Sequence, residues 1–267
     1  MDTQIQQTFE QLKQTISVST SPFHTAKEAM RRLNEAGFVT LDWDGTWELV
    51  PGGKYAVCPF GTTVFGFQIG TALSDTPVWK LSSSHIDNPG LRIKYNPVVS
   101  SKNGCRLNTE VYGGPILNTF FDRPLSLAGK VVTKGDRYDR PVSHLVDLKR
   151  PAVYLPNLAI HMNREVNKGY DYNIQKDMLP LYGCGEAKGK FMKQIAEAAN
   201  VKEDAILASD LFLYNRMKGS IWGACEEFIS SPKLDDLQCA FSSLEAFLQS
   251  EEPLPSENVQ ANEQSEV

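Results

Sequence analysis

Residues able to do chemistry first gather at positions 79–92, WKLSSSHIDNPGLR, where His85 and Asp87 stand two places apart. In extended backbone, residues i and i+2 project from the same face, so the imidazole and the carboxylate emerge side by side. That pairing suits a metal-ligating histidine whose tautomer and basicity are set by a nearby carboxylate. The run Val78-Trp79-Lys80-Leu81 predicts a strand leading into the motif, and Asn88-Pro89-Gly90 ends it, because proline cannot donate to a ladder. By itself the triplet reads first as a hydrogen-bonded turn; a metal site needs further donors. A second acidic pair, Asp235-Asp236 in SPKLDD, opens an apolar stripe of Leu237, Ala240, Phe241, Leu244, Phe247 and Leu248. Locally these carboxylates read as helix-end charges, favoured by the helix dipole. His161, in NLAIHMNRE, reads on its own as a hydrogen-bonded histidine on a β surface, and His24 as a surface or capping residue.

The elements that must position these groups follow in order. Ile5, Phe9, Leu12 and Ile16 predict a helix over 3–17, and Ser21-Pro22 predicts the capped start of a second one that Gly37 stops. From Phe38 to Leu81 the pattern changes to short β runs: FVTLDWD, TWELV, KYAVCPF, TVFGFQIG and VWKLS. Residues 91–176 stay strand-rich with frequent turn signals, VVTKGDRYDRPVSHLVDL alternating like an exposed hairpin. Residues 186–199 predict an amphipathic helix, 205–214 a strand, and the stripe after SPKLDD a final helix.

Composition bounds the function classes. A chain of 267 residues with 41% hydrophobic and 22% charged residues can bury a large core in one or two domains. The net charge of −5 and the lack of a basic block argue against nucleic acid and anionic membranes as partners. No apolar run is long enough to cross a membrane, and the polar start MDTQIQQTFEQLKQ has no leader pattern. Cys58, Cys105, Cys184, Cys225 and Cys239 are odd in number and lack CxxC spacing, which predicts free thiols and a cytoplasmic location. Residues 251–267, acidic and poor in apolar side chains, predict a disordered tail.

Four stretches together resemble the aspartyl aminopeptidase family of co-catalytic zinc metallopeptidases. They are SSHIDNPGLRIKYNP (83–97), YGGPILNTFFDRPLSLAGKV (112–131), LPNLAIHMNREVNKGYDYNIQKDMLPL (155–181) and EEFISSPKLDDLQCAFSSLEAF (226–247). The resemblance implies a zinc-peptidase-type α/β domain, truncated here, made of 1–90 and 219–250 and interrupted by a β-rich dimerisation domain over 91–218. It makes His85 a zinc ligand, Asp87 the carboxylate that orients it, and Asp235 the bridge between two zinc ions. Asp236 stands where many relatives have Asn and is not assigned as a primary ligand. His161 matches a histidine that reaches the active site of a neighbouring subunit. Asp122-Arg123 reads as a buried ion pair shaping the dimer interface.

The implied activity is removal of N-terminal, preferentially acidic, residues from peptides by a homodimer within a larger homo-oligomer. The family's acidic DNEEVGS-type motif and later ligands have no counterpart before Val267. Only part of the two-metal site is therefore expected, with activity reduced or absent. The competing reading is a catalytically inactive assembly module that binds full-length relatives.

Overall fold

A computed structural model describes residues 3–71, 78–137 and 139–250, so the tail expected over 251–267 lies outside the described residues. The chain divides into two compact units. One takes the chain up to His24 and again from Asp87 to Leu234; the other takes Thr25–Ile86 and the chain from Asp235 onward. Helix α1 (Thr3–Val18) buries Phe9 and Ile16 and leaves Ile5 exposed. Helix α2 (Pro22–Glu35) starts directly after Ser21, whose hydroxyl meets His24 Nδ1 at 2.8 Å. Its end is the glycine stop that the sequence requires: Gly37 has φ +85°, and the Phe38 N–H returns to the Leu33 carbonyl at 3.0 Å.

The β runs after Gly37 form a small open sheet. Strand β1 (Val39–Thr40) lies parallel to β2 (Lys54–Val57), which pairs antiparallel with β3 (Phe65–Gln68). Two expected strands are missing. TWELV is not laddered, since Val50 N–H donates to the Tyr55 hydroxyl at 2.9 Å instead of to a neighbouring strand. The strand expected at Val78–Leu81 is also absent: residues 78–88 carry no regular structure, for want of a partner ladder among the described residues.

The β-rich middle of the chain closes on itself. Strands β4 (Gly90–Ser100), β5 (Cys105–Tyr112), β6 (Pro124–Arg137), β7 (Arg140–Asp147) and β8 (Val153–Tyr154) are followed by one helical turn, α3 (Ile174–Asp177). Then come β9 (Leu181–Gly183), α4 (Phe191–Ala199) and β10 (Ile206–Asn215). The order β10-β4-β5-β9-β8-β6 returns to β10 through a β6–β10 pairing, giving a closed six-strand barrel with β7 added beside β6. Closure removes the unpaired edges that an open sheet presents. Alternation along the strands fills the interior with Leu91, Leu107, Leu125, Leu127, Val131, Val146 and Leu211, all essentially inaccessible to solvent. Burying each is worth roughly 1.5–3 kcal/mol. The hairpin expected at 131–148 is present, but one of its faces is core, not surface.

One seam residue is dictated by close approach. Gly129 of β6 faces Leu211 of β10, and a Cβ at Gly129 would run into the Asp210 carbonyl. Only glycine lets the two backbones meet there. The helix expected from 186 begins at Phe191, after a tight turn at Gly185–Ala187. It ends at Asn200 in left-handed conformation, and its Ile195 and Phe191 cover the barrel core. A hairpin of β11 (Ser220–Trp222) and β12 (Phe228–Ser230) precedes the last helix, α5 (Leu234–Leu248).

Candidate metal centre

In the second unit, α5 is fixed by its apolar stripe. Leu244, Phe247 and Leu248 pack with Met30, Leu33, Phe38, Ala56 and Val64 into one small core. Gly66 of β3 lies so near Leu33 and Phe247 that a Cβ there would press on both at 3.0 Å. Arg32 pairs with Glu245 beside it and lies 5.3 Å from the Phe241 ring. Asp235 and Asp236, joined by a cis peptide bond, have non-helical dihedrals, so the regular helix begins after Asp236. The acidic pair is therefore presented at the helix N-terminus, where negative charge is favoured.

His85 comes to that end. Its Nε2 lies 3.5 Å from Asp235 Oδ1 and 3.6 Å from Asp236 Oδ2, and donor atoms of the three residues all fall within 4.8 Å of one another. The side chains of His85 and Asp235 are 55% and 75% exposed, while that of Asp236 is 15% exposed. Two carboxylates this close repel when both are ionised, and a cation between them relieves the repulsion. An imidazole and a carboxylate, here His85 and Asp235, are donor types that zinc sites use. The sequence reading brought out His85 and Asp235 and set Asp236 aside. The signal that marks Asp236 is its place beside Asp235 at the start of the apolar helix stripe.

The remaining candidates belong to the barrel unit. Asp87 accepts a hydrogen bond from the Tyr112 hydroxyl, and that bond pushes the Tyr112 pKa up to about 12. Tyr112 packs edge-on against Phe212 at 5.3 Å, and Arg92 lies across Phe212 while binding Asp210 at 2.8 Å. Thus Asp87 is held from behind by an aromatic side chain anchored in the barrel wall, a partner its own sequence neighbourhood does not reveal. His161 sits on an exposed turn in which Met162 N–H bonds to the Ala159 carbonyl at 2.8 Å. Asp122 is not buried with Arg123. It is exposed, with φ +55°, and its carboxylate accepts the Asn157 backbone N–H at 2.9 Å and the Asn157 side-chain N–H at 2.8 Å. Those bonds hold the Asp122 carboxyl below the usual carboxylate range. They also secure the base of the loop that carries His161.

A family profile described as Aminopeptidase I zinc metalloprotease (M18) matches residues 15–265. The chain belongs to the M18 family. It is 42% identical over 235 residues to a "Probable M18 family aminopeptidase 2" of Clostridium acetobutylicum, an alignment covering 86% of this chain and 54% of that one. Among solved structures, the Ape4 chain of an Ape4–Nbr1 complex superposes with TM-score 0.79 at 26% identity, over 89% of this chain and 49% of that one. A chain of the S. cerevisiae mApe1 dodecamer gives TM-score 0.72 at 21% identity, over 90% and 55%, and shows the shared fold. The chain spans about half the length of the curated relatives it matches.

Within this M18 chain the residues just before the acidic pair are anchored in the barrel unit. The Lys233 ammonium donates to the carbonyls of Ile16 and Ser19, both at 2.7 Å, at the C-terminal end of α1. A cation there complements the helix dipole. Burial nevertheless pushes the Lys233 pKa down to about 8. The Lys233 ammonium also lies 5.7 Å from the Tyr214 ring, and the Tyr214 hydroxyl donates to Asp147 at 2.8 Å. Thr20 donates to the other oxygen of Asp147 at 3.2 Å. No helix among the described residues is long and apolar enough to cross a membrane. The five cysteines are free thiols.

Proposed function

We propose that this chain contributes the His85–Asp235 part of a zinc-dependent, cytoplasmic M18 aminopeptidase that removes N-terminal, preferentially acidic, residues from peptides. The observation that carries the reading is the convergence of His85, Asp235 and Asp236 donors within 4.8 Å in a chain whose residues 15–265 match the family. His85 would hold zinc through Nε2 and Asp235 through its carboxylate, which can bridge to a second ion. Bound zinc supplies Lewis acidity and a water of lowered pKa. Asp87, two residues along the chain from His85, takes the orienting role, with Tyr112 fixing its carboxylate. His161 acts from the barrel of one subunit on the centre of another, which makes the 91–218 segment the dimerisation domain of a homo-oligomer.

The test measures zinc stoichiometry and hydrolysis of Asp- and Leu-p-nitroanilide by the purified chain. Zinc binding lost in His85→Ala supports the metal assignment, and turnover lost with it supports the peptidase reading. A chain that binds no zinc sinks the assignment.

A second reading rests on a different observation. The turn around His161 exposes Leu158, Ile160 and Met162 on a barrel that has a complete core of its own. This favours an assembly module that docks through the barrel on other M18 chains. Light scattering that shows dimers with neither metal nor turnover would favour it.

A further inference from the structure

Among the described residues, no ladder holds the segment that carries His85. Residues 78–88 lack regular structure, and 79–85 are exposed. Within its unit the segment meets α5 through Ser82 and through the His85 backbone. Ser82 Oγ donates to Ser243 Oγ at 3.3 Å, and the His85 backbone N–H donates to Asp236 Oδ2 at 3.2 Å. Asp236 also meets the helix: it stands with non-helical dihedrals at the start of α5, and the Cys239 thiol, three residues on, hydrogen-bonds to it, which raises the Cys239 pKa. One half-buried carboxylate therefore grips the backbone of the ligand-bearing segment and the first turn of the helix that follows Asp235.

We propose that Asp236 is the positioning residue of the metal centre, holding the His85 backbone within reach of Asp235 through an acceptor oxygen and not through its charge. The proposal rests on the His85–Asp235 metal reading above. An asparagine carbonyl accepts the same hydrogen bond.

Two measurements on the full chain test it: zinc affinity by competition with a chromogenic chelator, and hydrogen exchange at the His85 amide in metal-free protein. Asp236→Asn should keep both the affinity and the amide protection of the parent. Asp236→Ala should lose about 10–100-fold in zinc affinity, the usual cost of removing a group that orients a ligand, and its His85 amide should exchange freely. Asp236→Ser keeps an acceptor oxygen on a shorter arm that falls short of the His85 amide, so it should bind zinc like the alanine variant. If Asp236→Asn loses as much affinity as Asp236→Ala, the charge matters and the residue is a ligand, which overturns the proposal. Unchanged affinity and protection in Asp236→Ala overturns it too. Should the parent itself bind no zinc, the metal reading falls, and His85 exchange alone decides whether Asp236 holds the segment.

Discussion

The two units solve the burial problem differently. The barrel closes its sheet and buries a run of fully enclosed aliphatic side chains. The unit in which the His85, Asp235 and Asp236 donors meet has a three-strand open sheet and a small core cluster around Leu33, Phe38 and Ala56, with Tyr55, Val57, Leu237 and Phe241 buried as well. It leaves Trp43, Trp47, Phe60, Phe65, Val78, Trp79 and Leu81 exposed. The barrel unit carries Asp87 and His161, and the open-sheet unit carries the donors that converge.

The contrast can be broken most severely at the barrel seam. Gly129→Ala should cost several kcal/mol, as overpacking against backbone does, because β6 cannot keep its approach to Asp210. Loss of the cooperative melt by circular dichroism checks it, and a stable variant would show that the seam can yield. Leu127→Ala, inside the barrel, should destabilise by about 2–5 kcal/mol while leaving zinc affinity unchanged, read from urea midpoints beside chelator competition. In the other unit Phe38→Ala should cost about 3 kcal/mol and weaken zinc binding as well, since Phe38 packs on Phe247 of the helix that presents Asp235. Equal zinc affinity in both core variants would dissolve the distinction.

The smallest effect is at the polar cluster of the barrel unit. Tyr214→Phe removes the bond to Asp147 and should cost about 1 kcal/mol near neutrality. Burial first, then the Asp147 bond, push the Tyr214 pKa up to about 12 from the ordinary 10. The unfolded tyrosine therefore ionises before the folded one. Its stabilising contribution is whole below pH 10 and is lost as pH rises toward 12. The stability gap between parent and Tyr214→Phe should accordingly narrow over that window. A gap that widens would refute the assignment.

Much of this was legible in the residues. Gly37, Ser21-Pro22 and the stripe from Leu237 to Leu248 marked helix ends and faces through local rules, because caps and periodicity act over a few residues. His85 and Asp235 were legible as candidates only through the joint order of four motifs. The strands at 46–50 and 78–81 were misread for one reason: a β-pattern describes a chain able to pair, and pairing needs a neighbour that the pattern does not contain. Asp122 was misread because its partner, Asn157, lies 35 residues away.

The sequence by itself determined the long helices, the apolar faces and the chemical types at positions 85, 87, 161, 235 and 236. Tertiary structure alone decided that β6 returns to β10 to close a barrel, that Tyr112 holds Asp87, and that Asp236 reaches across 151 positions to the backbone of His85. Those contacts join groups distant in the chain, and their energy depends on geometry at ångström range, which residue type and spacing do not encode.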